Sequence, residues 1–438
     1  MTQAVSSKYL KEIMTDAHIR TLELVAGLDD EQVMGPELPI VNPLRWEIGH
    51  VAWFHEKFIL RDLYGREPLL ANGDELYDSI AINHNVRWQL PLLSMQETLD
   101  YIENVLNDCL LLLPKGMSSE AQSYIYQFCT FHEDMHTEAY TWSRQTLSYP
   151  KPGFNNLQTP DDANAGPYPG DAVIPDGVIL IGASEDTPFI FDNEKWAHEA
   201  KVDAFSIAKA PVTNAEYRDF INAGGYLQRD FWSEEGWAWR QQTNAEHPFY
   251  WIAGDGGDWR VKRFDDAEML PLYQPVIHVN WHEANAYCAW AGRRLPTETE
   301  WNAAALGELI ANKDVPAITL RTFPWGEQDV EPQHANLDGR ALGCIDVAAL
   351  LAGDSAFGCR QMIGNVWEWT STTFNPFPGF SPDAYREYSE PLFKNTKVLK
   401  GGTWVTRSRM ITGRYRNFFP PDRRDVLAGF RTCALSPN

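Results

Sequence analysis

The chain has 438 residues, 60 acidic and 37 basic, and a net charge of −23. At roughly 150 residues per domain this length predicts two to three domains. The negative field excludes nucleic acid as a partner, and 44% hydrophobic with 22% charged residues is globular composition, neither disordered nor collagen-like. Apolar runs such as 109–113 are too short to span a bilayer, so no membrane partner is expected. No basic segment followed by an apolar stretch opens the chain, and six scattered cysteines form no CxxC pair. That reads as a cytoplasmic protein with reduced thiols. Nothing in the sequence fixes an oligomeric state.

Leu10, Ile13, Met14, Ala17, Leu24 and Val25 recur at helical spacing and predict a first helix from Tyr9. A second follows Pro43, with Trp46, His50, Phe54 and Phe58 on one stripe. Ser94 with Glu97 three residues on is a capping-box pattern, and it opens a third helix with Leu99, Ile102, Val105, Leu106, Cys109 and Leu113 inward. A fourth covers about residues 118–147, with Phe128, His132, His136 and Tyr140 on one stripe. Four amphipathic helices predict an up-and-down four-helix bundle over residues 1–150, with a long loop at about 64–93. Residues 151–175, rich in Pro, Gly, Asn and Asp, read as a linker. From 176 to 438 the texture changes to short strands, at 178–181, 202–207 and 397–399, among loops. Helices are expected there at 214–223, 281–292 and 297–306. This half is α+β, irregular and rich in aromatic rings.

The sharpest local feature is His132-Glu133-Asp134-Met135-His136. Two histidines at i and i+4 share one helix face and suit one metal ion. The plainer alternative is a pair of packed structural histidines. His50, on the apolar stripe of another helix, favours a site, because ligands in bundles converge from facing helices. The same five residues spell HExxH, the zinc-protease signature, in which Glu133 is the general base. No HxxGxxH continuation follows, and Glu138 lies about 200° around the helix from His136.

Further strings carry a resemblance. They are Pro211-Val212-Thr213-Asn214, Val279-Asn280-Trp281, Arg294-Leu295-Pro296-Thr297-Glu298, Gly364-Asn365-Val366-Trp367-Glu368-Trp369 and Ala428-Gly429-Phe430-Arg431. Together they resemble the formylglycine-generating, or sulfatase-modifying, domain, a C-type-lectin-like α+β fold. The first half resembles the DinB-like bundle fused to that domain in the ergothioneine-type non-haem iron sulfoxide synthases. It matches their HxxxHxE motif with His132, His136 and Glu138, and their "GH.xWF" context with Gly49-His50 and Trp53-Phe54. Formylglycine formation needs a cysteine pair near the C-terminal pocket, and residues 401–431 contain no cysteine.

The resemblance implies an N-terminal DinB-like four-helix bundle followed by a C-type-lectin-like domain. It implies Fe(II) held by His50, His132 and His136, and O2-dependent joining of a thiol donor to C2 of the hercynine imidazole, giving a sulfoxide. Asn417 matches the family's betaine-binding Asn, with Tyr415, Phe418 and Phe419 beside it as an aromatic surface for a quaternary ammonium. Phe419 stands where γ-glutamylcysteine-using members carry an acid, which favours free cysteine as donor. Arg87 is a candidate for a donor carboxylate, with a solvated loop arginine as the alternative. Arg414, Arg416, Arg423 and Arg424 either draw carboxylate substrates or pair with Asp422 and Asp425. Oxygen reduction consumes protons, so a general acid is expected, and Tyr385 or Tyr388 is the implied donor. Selenoneine synthases share this layout and join hercynine to a selenosugar, which keeps selenium open as the alternative. A non-catalytic lectin-like binding module is the reading from another class.

Overall fold

A computed structural model describes residues 3–254, 257–310 and 318–435. The chain forms two compact units. The first takes the chain up to Asn155, together with Glu185–Ile190 and Arg263–Asp266. The second takes Asn156–Ser184, Phe191–Lys262 and the chain from Ala267 onward.

The first unit is helical: α1 (Ser7–Val25), α2 (Asp30–Met34), α3 (Leu44–His55), α4 (Gly73–Tyr77), α5 (Met95–Leu112) and α6 (Glu120–Thr146). The four long helices stand where the periodicity predicts them. Their starts are chemically marked. Ser6, Ser94 and Ser119 each accept a backbone N–H from the first turn, and α5 and α6 carry full capping boxes with Glu97 and Gln122. Each such cap contributes about 1 kcal/mol. The apolar stripes meet in a core where Leu10, Met14, Leu24, Val51, Phe54 and Cys109 are fully buried. Burying a side chain of Leu or Phe size contributes about 1.5–3 kcal/mol. Beyond His55 the α3 helix widens into a π-helix, Glu56–Leu63, so Phe58 of the predicted stripe lies in a segment with i→i+5 bonding. The returning segments belong to this core. Phe189 stacks on Tyr124 at 5.5 Å and meets Phe131 edge-on at 4.8 Å. The Phe264 N–H donates to Gln145 Oε1 at 2.7 Å.

The second unit mixes helices and short sheets. One four-stranded sheet runs Asp171–Ile174, Phe205–Ala208, Cys433–Ala434, Arg293–Arg294. The other runs Asn417–Phe419, Lys397–Lys400, Trp367–Thr373, Ala428–Gly429, with only the last pair parallel. Its helices are α7 (Asn214–Asn222), α8 (Glu234–Thr243), α9 (Trp281–Trp290) and α10 (Glu298–Leu306). The single strand predicted at 202–207 is two. His198–Val202 pairs with Gly177–Ile181, and Phe205–Ala208 pairs with Asp171–Ile174. The chain changes sheets at Asp203, whose exposed carboxylate pairs with Lys201 at 2.6 Å; Asp disfavours strand interiors.

The strings that carry the family resemblance build this unit's interior. Arg431 and Glu368 are 0% and 1% exposed and form a two-pronged ion pair at 2.7 Å. Trp301 Nε1–H donates to the same carboxylate at 2.8 Å. Such a pair is a specificity device more than a source of stability, since desolvation offsets most of its attraction. All six cysteines are free and buried. Among the described residues, no helix is long and apolar enough to cross a membrane.

Candidate metal centre

Helices α3 and α6 bring His50, His132 and His136 together, with one nitrogen from each ring lying within 4.8 Å of the others. The ring centroids are 5.2 Å (50 to 132), 5.0 Å (50 to 136) and 4.6 Å (132 to 136) apart. Among the described residues this is the one cluster of metal-ligating side chains with that convergence. The i, i+4 pair comes from a single face of α6. The third member comes from α3 because its stripe packs against that face.

Aromatic side chains wall the rings. Trp46 stacks on His50 at 5.1 Å with planes 7° apart, and Phe54 stacks on His132 at 3.7 Å. His50 Nδ1 lies 2.7 Å from the carbonyl of Tyr77, which fixes the proton on Nδ1 and leaves Nε2 as the ligand atom. Gly49 makes that contact possible: a Cβ there would stand 2.2 Å from the Tyr77 ring. Burial lowers all three imidazole pKa values. His50 is brought down to about 4, and His132 and His136 lie well below the ordinary value. Three neutral imidazoles are what a divalent metal requires, so the residues present fit a metal ion. His136 keeps 19% side-chain exposure while His50 and His132 are buried, so the cluster is open on the His136 side.

A buried polar wall that the sequence reading missed stands behind the triad. Glu47, 3% exposed, places Oε1 3.8 Å from His136 Nδ1. Asn42 donates to that same oxygen at 2.8 Å, and Arg87 Nη1 donates to Asn42 Oδ1 at 2.8 Å. Burial pushes the Glu47 carboxyl up to about 7, against the pull of Asn42 and Arg87. The available signal was position: Glu47 precedes His50 by three residues and so shares its helix face. Arg87 is not a solvated loop arginine. It is 9% exposed, lies 3.8 Å over the Trp46 ring and also donates to the carbonyls of Ser79 and Ile82.

Glu133 faces elsewhere. It is 2% exposed, accepts from Thr21 Oγ1 at 2.7 Å and lies 3.5 Å from His55 Nε2. The HExxH reading needs this carboxylate over the metal, and the helix turns it toward α1 instead. Glu138 is buried and outside the cluster.

The remaining predicted residues lie in the second unit. Asn417 and Phe419 share one face of the strand Asn417–Phe419, and Phe418 takes the other. Phe418 stacks on Phe374 at 4.1 Å and meets Tyr388 edge-on at 5.7 Å. Tyr388 is packed among Phe191, Phe418 and the hydrogen-bonding side chains of Tyr415 and Asn193, and burial raises its pKa. Tyr385 is half-buried at the start of the same turn. Tyr415, 3% exposed, packs on Phe191 and Trp367, so it supports this surface from within. The arginines of the segment are largely paired. Arg416 holds Glu298 at 2.7 Å, Arg423 holds Asp425 at 2.6 Å and Arg424 holds Glu283 at 2.8 Å. Asp425 is the carboxylate in ion-pair contact with Arg423, and Asp422 acts on the same guanidinium from further off.

Residues 157–435 match the sulfatase-modifying factor enzyme 1-like domain, and residues 14–139 match the DinB superfamily. The hercynine oxygenase of Mycolicibacterium thermoresistibile is 36% identical over 428 residues, covering 95% of this chain and 93% of that protein. The hercynine oxygenase of Mycobacterium tuberculosis is 37% identical over 421 residues, covering 95% and 96%. The chain belongs to the hercynine oxygenase family. The formylglycine-generating enzyme of Mus musculus is 31% identical over 302 residues, covering 60% of this chain and 74% of that protein. Hercynine oxygenase membership thus joins a helical DinB-type domain to a C-type-lectin-like one, and makes the chain an oxidoreductase with a metal-dependent type of site.

Proposed function

We propose that the chain uses iron(II) and O2 to join a thiol donor to C2 of the hercynine imidazole, giving a sulfoxide. The buried, neutral triad of His50, His132 and His136 in a hercynine oxygenase relative carries this reading. The reaction balances. The donor S–H and the imidazole C2–H are lost, one C–S bond forms, one oxygen atom ends on sulfur and the other leaves as water. Held by His50, His132 and His136, iron(II) would supply the reactivity toward O2 that no side chain provides.

The protein's residues orient and protonate. The carbonyl of Tyr77 and the Trp46 ring hold His50 at a fixed angle. We assign Asn417, with Phe419 on the same strand face, to the betaine, whose trimethylammonium suits aromatic faces at roughly 0.5–2 kcal/mol per contact, while Phe418 supports the strand from its other face on Phe374. Arg87, whose charge is felt at Glu47, His50 and His136, is assigned to a donor carboxylate. Tyr388 is preferred to Tyr385 as general acid, because Phe191, Phe418 and the hydrogen-bonding side chains of Tyr415 and Asn193 fix its position. Phe419 offers no charge for a glutamyl ammonium group, and an unpaired buried charge costs several kcal/mol, so cysteine is the expected donor.

The test has two arms. His50→Ala should lose most bound iron and nearly all turnover, and full iron with full activity would end the assignment. A competition of cysteine, γ-glutamylcysteine and a selenosugar for hercynine, read by mass spectrometry, should give the cysteine sulfoxide. Met135 before the second histidine, where many ergothioneine-type enzymes carry glutamine, is the feature that favours the selenosugar as second reading. A selenosugar adduct in excess would replace sulfur by selenium.

A further inference from the structure

Two members of the triad, His50 and His136, are backed by different chemistry. Behind His50 stands a neutral backbone carbonyl, that of Tyr77, at 2.7 Å. Behind His136 stands a carboxylate, with Glu47 Oε1 3.8 Å from Nδ1. His136 Nδ1 is buried and makes no hydrogen bond in the chain as it stands, and Glu47 Oε2 is likewise buried without a hydrogen-bond partner. An unpaired buried ring nitrogen thus faces, just beyond bonding distance, the Asn42-held oxygen of a carboxylate whose other oxygen is also unpaired. A buried polar group is costly to leave unsatisfied.

Glu47 is also held where it is. Asn42 donates to it at 2.8 Å, Arg87 Nη1 fixes Asn42 at 2.8 Å, and the Arg87 guanidinium rests 3.8 Å above Trp46, whose ring stacks on His50. The belt therefore starts behind one ligand and closes on another. A cation on the far ring nitrogen makes an imidazole N–H a stronger donor, and a carboxylate behind it makes the ligand more basic.

We propose that Glu47 is the positioning residue of His136: the carboxylate that receives its Nδ1–H and orients the ring toward the metal, held in place through Asn42 and Arg87. This rests on the triad being a metal site, and it assigns Arg87 a part in the belt besides any contact with a donor.

The experiment uses the full chain and cobalt(II) as a spectroscopic probe, with iron(II) competed against a chelator. Glu47→Gln keeps the shape and the Asn42 contact but removes the carboxylate. It should fold normally by circular dichroism, bind either metal about 10–100-fold more weakly and shift the cobalt ligand-field bands. Glu47→Asp, which retains the charge on a shorter stem, should recover part of the affinity. Wild-type affinity and unchanged bands in Glu47→Gln would overturn the proposal. If Glu47→Gln fails to fold, Asn42→Ala supplies the same readout one bond further out, and unchanged bands there overturn the proposal equally. His50→Ala separates the two readings. If it loses metal while Glu47→Gln keeps it, the positioning role alone falls; if it binds as wild type, the metal site itself falls.

Discussion

Gly49→Ala tests whether the site depends on how closely two backbones and one ring approach. A Cβ at position 49 would lie 2.2 and 2.3 Å from two carbons of the Tyr77 ring and 2.8 Å from its oxygen, where ordinary contacts begin near 3.4 Å. The ring has to retreat by more than an ångström, yet Tyr77 is fully buried and its ring lies beside that of Tyr101. Overpacking of this kind costs about 1–3 kcal/mol. Moving Tyr77 also pulls its carbonyl from His50 Nδ1, now at 2.7 Å, which forfeits a hydrogen bond worth about 0.5–1.5 kcal/mol. The expected result is a lower urea midpoint and metal binding about 10–100-fold weaker, as for loss of a group behind a ligand. Gly153→Ala is the control, because a Cβ there meets nothing within 4 Å. A Gly49→Ala protein with wild-type urea midpoint and metal affinity would refute the reasoning.

Glu133→Ala should leave metal affinity unchanged, because the carboxylate faces Thr21 and His55, while costing about 1–3 kcal/mol in denaturation experiments. Zinc-dependent peptide cleavage by the wild type, lost in this variant, would restore the protease reading. Asn417→Ala should weaken hercynine binding in calorimetry without loss of iron; unchanged affinity would place the betaine elsewhere. His278, held near pKa 3 by burial, is neutral in the folded state and takes a proton only on unfolding. Its contribution to stability is complete above about pH 6.5 and is lost as pH falls toward 3, at up to about 1.4 kcal/mol per pH unit. His278→Asn, compatible with the positive φ of 62° there, should therefore flatten the stability profile between pH 6 and 4.5 relative to wild type. Parallel profiles in urea titrations would contradict this.

The legible parts of this chain were those written in local spacing. Ser94 and Glu97 mark a helix start three residues apart, and His132 and His136 sit one turn apart, so neither needed the fold to be known. Glu47 was passed over because a charged residue in a helix reads as solvent-facing until the elements packed behind it are seen. Helix α8 was hidden by Gly236 and by Trp237 and Trp239, whose spacing of two suggests a strand. The break at Asp203 was missed because Val202 and Phe205 look continuous, and only pairing with two different partners divides them. The role of Glu133 required α1, 112 residues away in sequence.

The segments around Phe189 and Phe264 give the helical unit a history that a string of beads would not have. The chain leaves or re-enters that unit at five points, after residues 155, 184, 190, 262 and 266. A protease cutting once near residue 150 would therefore not release a complete bundle. The amino-terminal fragment would lack Phe189 from its place beside Tyr124 and Phe131, and the Phe264 amide from Gln145. The same interleaving restricts exchange by recombination, since a crossover at that boundary would carry off pieces of the bundle's own interior.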